Sequence, residues 1–215
     1  KKLDLKPGMT VLDIGCGFGS FSYFLVTNYK VKVIGVTLSK NQVAYANKHY
    51  KHKNLNILYK DYRELNGKYD RVFSIGMFEH VGKSNYKIYY DKCYNLLKID
   101  GIMLIHTIVS SYKITNSNGF IQKYIFPGGF LPSKNCLNKY VSDNGLTIKS
   151  YDSYADHYAN TLAIWKNEFN RKWDLIKKQG FDLTFKRMWE FYLSYCEAGF
   201  KSKNIDLIQF SIQNK

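Results

Sequence analysis

A short apolar run ending in an acid, followed by three closely spaced glycines, constrains this chain more than any other feature. Residues 10–14 read TVLDI and residues 15–19 read GCGFG, which places Asp13 just before Gly15, Gly17 and Gly19. Glycines behind a strand let the backbone turn sharply and come close to a ligand. A helix that starts there aims free amides at that ligand. The spacing is G-x-G-x-G, and Ser20 stands where a dinucleotide fingerprint would carry its third glycine. A tight turn with no ligand is the plainer reading, but it leaves the coincidence of a carboxylate and three glycines unexplained.

The rest of the chain extends that start. Apolar runs at 31–36, 55–59, 69–75 and 102–108 read as strands, with helices at 18–28, 39–49 and 85–97. Ser39 suits an N-cap, and the Asp100-Gly101 turn closes the third helix. Strands separated by helices predict an α/β fold with a parallel sheet covered on both faces. Beyond residue 108 the alternation breaks. Residues 110–135 are rich in Ser, Asn, Gly and Pro with interleaved aromatics; then come an expected strand at 146–154, helices at 162–178 and 184–198, and a last strand at 205–212. A strand after the last helix fits a sheet ending in an antiparallel pair, and the long connection before it reads as a substrate lid. One domain over 1–215 is expected: a cofactor-binding half at 1–109, a lid and insertion at 110–180, and the last helix and strand at 181–215.

Composition narrows the partners. With 45% hydrophobic residues the chain is globular in type. No apolar run reaches the length needed to cross a bilayer, and the opening KKLDLKPGMT lacks a signal peptide's apolar stretch. That opening lies so close to the first strand that removal of an N-terminal segment is expected. The net charge of +15 suits an anionic membrane or nucleic acid, or reflects a lysine-rich composition. The lysines are dispersed, so charge alone does not choose. Cys16, Cys93, Cys136 and Cys196 form no CxxC pair and no zinc-ligand spacing, which predicts no metal and reduced thiols in a cytoplasmic protein.

A sulfonium methionine cofactor suits this loop. Asp13 would hold its amino-acid end, directly or through water, inside the turn made by Gly15, Cys16, Gly17 and Gly19. The second strand of such sheets usually ends in an acid that binds ribose hydroxyls. Here it ends in VTLSKNQ, leaving Thr37, Leu38 and Gln42 in that place. After the third strand, Asp61 can accept a hydrogen bond from an adenine amino group and Tyr62 can lie on a ring. A cap or turn role is the plainer reading of Asp61.

The words GVTLSKNQ, DYREL, DRVFSIGMFEHVG, LIHTI, YIFPGGFLPS and YLSYCEAGF follow one another in this order. Together, over residues 5–212, they resemble the catalytic domain of the cyclopropane-fatty-acyl-phospholipid synthases and their mycolic acid cyclopropane synthase relatives. The glycine loop is common to most class I S-adenosylmethionine-dependent methyltransferases, whereas GMFEHVG with YIFPGG is far more specific. The resemblance implies a Rossmann-like seven-stranded sheet with an antiparallel last strand and an inserted acyl-binding lid. It implies methyl transfer from S-adenosylmethionine to the cis double bond of an unsaturated phospholipid acyl chain, then proton loss and ring closure. Bicarbonate is the implied proton acceptor, held by Glu79, His106 and Tyr158 with the backbone of Ile108. Cys196 matches a cysteine often given an active-site role. An anionic phospholipid membrane surface at the inner face is the implied peripheral partner, and a homodimer is compatible with it. The family's N-terminal domain, and a Cys and a Tyr upstream of the first strand, have no counterpart here, so weak cofactor binding or inactivity is expected of these residues alone.

The residue types suit that chemistry. An alkene is a weak nucleophile and must be held in line with the methyl. The cation that results requires a dry site and is stabilised by aromatic faces. Phe120, Tyr124, Phe126 and Phe130 crowd the lid, although each could equally be core. A small anion avoids the alkylation that a side-chain base would risk. His106 and Tyr158 supply donors for it, and Glu79 in an apolar cavity has a raised pKa. The plainer readings are a helix-start role for Glu79, a satisfied core position for His106 and an acyl-channel lining for Cys196. His49, His52, His80 and His157 read as structural. The nearest alternative is a methyltransferase of the same fold acting on a small molecule or amine. Dispersed lysines without a base-targeting motif argue against nucleic acid, and the loop spacing argues against a nicotinamide oxidoreductase.

Overall fold

Strands β1 (Thr10–Ile14), β2 (Lys32–Thr37), β3 (Leu55–Tyr59), β4 (Tyr69–Ile75), β5 (Leu97–Ser110), β6 (Leu146–Ser153) and β7 (Ile205–Asn214) join in one sheet of order β3-β2-β1-β4-β5-β7-β6. The computed structural model describes residues 1–112 and 118–214, so residues 113–117 of the expected lid and Lys215 lie outside the described residues. The first five strands pair in parallel. β7 runs antiparallel to both β5 and β6, as expected from a strand placed after the last helix.

Helices α1 (Ser20–Tyr29), α2 (Lys40–His49), α3 (Tyr86–Leu96) and α4 (Lys134–Asp143) lie singly between strands, and α5 (Ala155–Arg171), α6 (Trp173–Lys177) and α7 (Leu183–Lys201) follow one another between β6 and β7. Local chemistry starts three of them. Ser39, Ser133 and Asp182 accept hydrogen bonds from the amides of Gln42, Cys136 and Phe185, which satisfies donors that a helix start leaves bare. Both faces of the sheet are covered. Tyr86, Tyr90 and Leu96 of α3 and Leu137 and Val141 of α4 pack against β5 and β7 on one side. Leu25 and Val26 of α1 cover Val11, Val33 and Phe73 on the other. There, over β5 and β7, Leu162 of α5 and Leu193 and Phe200 of α7 cover Ile108 and Leu207. Each such side chain contributes about 1.5–3 kcal/mol of burial, and β1, buried along most of its length, is apolar for that reason.

Three features differ from the sequence expectation. The Asp100-Gly101 turn lies inside β5: Leu97 already pairs with Tyr69, and the next pair is Arg71 with Ile102. Lys98–Gly101 therefore bulge out, and a Cβ on Gly101 would lie 2.7 Å from the Lys98 carbonyl oxygen. α4 was not expected, because its only buried side chains are Leu137 and Val141, one turn apart in a polar run. The helix expected at 162–178 begins at Ala155 and is divided by Lys172 (φ −97°, ψ 10°) into α5 and α6. The 110–180 stretch thus also supplies α4 and the edge strand β6.

Candidate active site

The glycine loop sits at the carboxyl ends of β1 and β4, where the strand order reverses and α/β sheets open a crevice. Gly15, Gly17 and Gly19 all have positive φ (81°, 56° and 82°), which favours glycine. A Cβ on Gly15 would lie 2.6 Å from Cγ of Met77, the second residue after β4. Not all of the loop amides are free. Those of Gly15 and Cys16 donate to the Val36 carbonyl at 2.9 and 3.0 Å, and that of Gly19 to the Cys16 carbonyl at 3.0 Å. They fix the loop to β2. Gly35 makes this possible, since a Cβ there would lie 2.6 Å from Ile57 Cδ1 and 2.9 Å from Cys16 Cβ. A glycine within the run VKVIGVT was its only sequence signal.

Asp13 is buried at the end of β1 and accepts a 2.6 Å hydrogen bond from the Ser22 hydroxyl. Burial pushes its pKa up to about 7, against the smaller effect of that bond. A buried carboxyl with this single side-chain donor fits the ammonium of an amino-acid moiety, which would restore its charge. After β2, the Thr37 hydroxyl donates to Gln42 Oε1 at 2.6 Å, and Leu38 lies exposed beside them. After β3, Asp61 takes the capping role, accepting from the Arg63 amide at 2.9 Å and from its guanidinium at 3.0 and 2.6 Å. Arg63, which sequence reading passed over, lowers the Asp61 pKa. Tyr62 is half-buried, edge-on to Tyr89 at 5.5 Å.

Glu79 lies in the turn Phe78–His80, anchored by Phe78 stacked on Tyr86 at 4.6 Å. Its Oε1 accepts from the Ile108 amide at 2.8 Å, and its Oε2 is buried with no hydrogen-bond partner among the described residues. The backbone of Ile108, expected to help hold an anion, thus meets Glu79 through its amide. Burial raises the Glu79 pKa. Tyr158 on α5 packs edge-on to Phe200 at 4.9 Å, in the same apolar cluster as Ile108 and Cys196. Its pKa is raised by burial, then by nearby Cys196 and Glu79. Cys196 bonds to Tyr192, and burial lifts its pKa to about 11, which keeps it a thiol at neutral pH. His106 precedes Ile108 by two residues on β5 and so shares its face. Burial, with a smaller effect from Lys2, lowers its pKa. Gln209 on β7, another residue the sequence did not flag, places Nε2 3.3 Å from His106 Nδ1. Glu79, Tyr158 and Cys196 therefore share one neighbourhood with Ile108, and His106 flanks it. Met77, against Gly15 and two residues before Glu79, joins that neighbourhood to the glycine loop.

The lid aromatics bridge this region. Phe120 contacts Phe191 at 4.8 Å and Tyr124 at 5.6 Å, and Phe126 lies 6.1 Å from both His80 and Tyr192. Phe130 lies 6.5 Å from Tyr86, and its amide donates to the Glu79 carbonyl at 2.9 Å. Among the described residues no group of three or more His, Cys, Asp or Glu is placed to hold a metal ion, and no helix is long and apolar enough to cross a membrane. Two open clefts, of about 410 Å³ beside α5 and α6 and about 580 Å³ around the N-terminal ends of β1 to β3, lie away from these groups.

A doubly wound sheet in this strand order, with an antiparallel seventh strand and a glycine loop after β1, defines the class I S-adenosylmethionine-dependent methyltransferase fold. Within that class, the mycolic acid cyclopropane synthetase family matches residues 1–210, and the chain belongs to it. It is 40% identical over 209 residues to the cyclopropane-fatty-acyl-phospholipid synthase of Escherichia coli K12, covering 97% of this chain and 54% of that protein. The chain therefore spans about half the length of that curated relative. The solved structure of cyclopropane synthase MmaA2 from Mycobacterium tuberculosis matches with a TM-score of 0.89 at 31% identity, covering 99% of this chain and 80% of the other. That of mycolic acid cyclopropane synthase CmaA1, complexed with SAH and CTAB, matches with a TM-score of 0.87 at 34% identity, with coverage of 99% and 80%.

Proposed function

We propose that this chain is the catalytic part of an enzyme that closes a cyclopropane ring across the cis double bond of an unsaturated phospholipid acyl chain. One observation carries the reading: in a member of this family, Glu79 Oε2 is buried, without a hydrogen-bond partner among the described residues, near Ile108, Tyr158 and Cys196. S-adenosylmethionine, when bound, supplies an electrophilic methyl on a sulfonium. Asp13 would hold the ammonium of that donor, the Thr37–Gln42 pair and Leu38 would take its ribose, and Tyr62, with Asp61 beside its Arg63 contacts, would take its adenine. The loop of Gly15, Cys16, Gly17 and Gly19 keeps the backbone close.

The lid aromatics exclude water and turn ring faces toward the cation left on the acyl chain. Glu79, His106 and Tyr158 would hold bicarbonate, which would supply a base for the proton lost on ring closure. Their protonation states suit that task. Burial raises the Glu79 pKa and so favours the protonated form, the one that can donate to an anion. His106 stays neutral, and Tyr158 stays a phenol. Cys196, kept as a thiol, lines the acyl channel. The +15 charge favours peripheral docking on an anionic membrane at its inner face. Mass spectrometry of phospholipids from cells expressing the full-length protein tests the assignment. Species heavier by one methylene, at the expense of unsaturated chains, are expected; none from a folded full-length protein overturns it.

A further inference from the structure

We infer that Gln209 is a positioning residue that fixes the tautomer of His106, so that the outer nitrogen of the ring, Nε2, carries the proton. His106 and Gln209 are direct partners across the antiparallel β5–β7 ladder, and Gln209 pairs on its other side with Asp152 of β6. Direct partners share a face, so one row runs His106, Gln209, Asp152, and ends in Lys2, which is ion-paired to Asp152. Within that row Gln209 Nε2 stands 3.3 Å from His106 Nδ1. With its amide nitrogen turned to the ring, Gln209 donates and Nδ1 accepts, which puts the single proton of a neutral imidazole on Nε2; the opposite turn of the amide would put it on Nδ1. Burial of His106 favours that neutral form. The amide also separates the ring from Asp152. A carboxylate in contact with Nδ1 would draw the proton to that nitrogen and leave Nε2 a lone pair, which repels an anion. Neutral Gln209 instead makes His106 a donor on its open side. Only this catalytic consequence rests on the ring-closing reading; the tautomer does not.

The test is the ¹⁵N spectrum of the imidazoles in the labelled full chain, with the His106 signals identified by their loss in His106→Gln. The wild-type ring is expected to show an unprotonated Nδ1 and a protonated Nε2. In Gln209→Glu the proton moves to Nδ1, and in Gln209→Leu the two tautomers mix. A wild-type ring protonated at Nδ1, or a tautomer unchanged in folded Gln209→Glu and Gln209→Leu, overturns the inference. The wild-type spectrum alone decides if neither variant folds. Cyclopropane formation by the full-length enzyme is expected to fall roughly tenfold in Gln209→Leu, the equivalent of one neutral hydrogen bond. Gln209→Glu should lose more. The predicted tautomer in an enzyme that makes no cyclopropane under any condition would count against the ring-closing reading and leave the tautomer standing.

Discussion

At the scale of single residues, two buried carboxyls give opposite kinds of test. Asp13 binds its proton more tightly in the folded chain, with a pKa near 7 against an ordinary value near 3.8. Between those values the folded state holds more protons than the unfolded one, so stability is greatest below about pH 4 and falls as the pH rises toward 7. The full span is worth up to about 4 kcal/mol. Asp13→Asn should flatten this part of the pH profile in chemical denaturation, and saturating S-adenosylmethionine should flatten it in the parent by supplying a cation. A profile unchanged by Asp13→Asn would remove the argument from burial. Glu79→Gln keeps the acceptor for the Ile108 amide, so stability should shift by less than about 1 kcal/mol. Cyclopropane yield should nonetheless fall at least on the order of 100-fold, the usual worth of a proton-handling group. Asp13, Glu79, His106 and Cys196 could all be named from sequence words. Gln209 and Arg63 could not, because they act through a cross-strand neighbour and a local turn.

At the scale of elements, the join between the glycine loop and β2 is the point most exposed to change. Gly35→Ala puts a methyl into Ile57 and Cys16, and overpacking of this kind costs about 1–3 kcal/mol. The strain pushes Cys16 off β2, so cofactor affinity should fall with stability, as read by calorimetric titration and thermal melting. Adding Ile57→Val removes the atom in closest conflict, so the double variant should be more stable than the sum of the single costs; strict additivity would mean that the methyl is accommodated elsewhere. The central strands were legible from their apolar period, and α2 from the Ser39 cap ahead of its helical stretch. α4 and the β5 bulge were not. α4 is amphipathic but polar on average, and it follows a Ser-, Asn-, Gly- and Pro-rich stretch that reads as a lid, and a bulge is set by the partner strand.

At the scale of the whole molecule, charge and topology matter most. If the +15 chain docks on lipid, it should sediment with vesicles of anionic phospholipid and not with neutral ones. Added salt should release it, since each lysine near the surface contributes about 1 kcal/mol before screening. Binding indifferent to vesicle charge would refute this use of the charge. The sequence by itself determined the strand–helix alternation, the cofactor loop and the family, because these depend on local periodicity, glycine conformation and contiguous words. Only the tertiary structure decided that β7 lies between β5 and β6, that Glu79 bonds the Ile108 amide and that Gln209 meets His106. Those pairs are separated by 29 and 103 residues along the chain. Such contacts follow from strand register and sheet order, which no local pattern encodes.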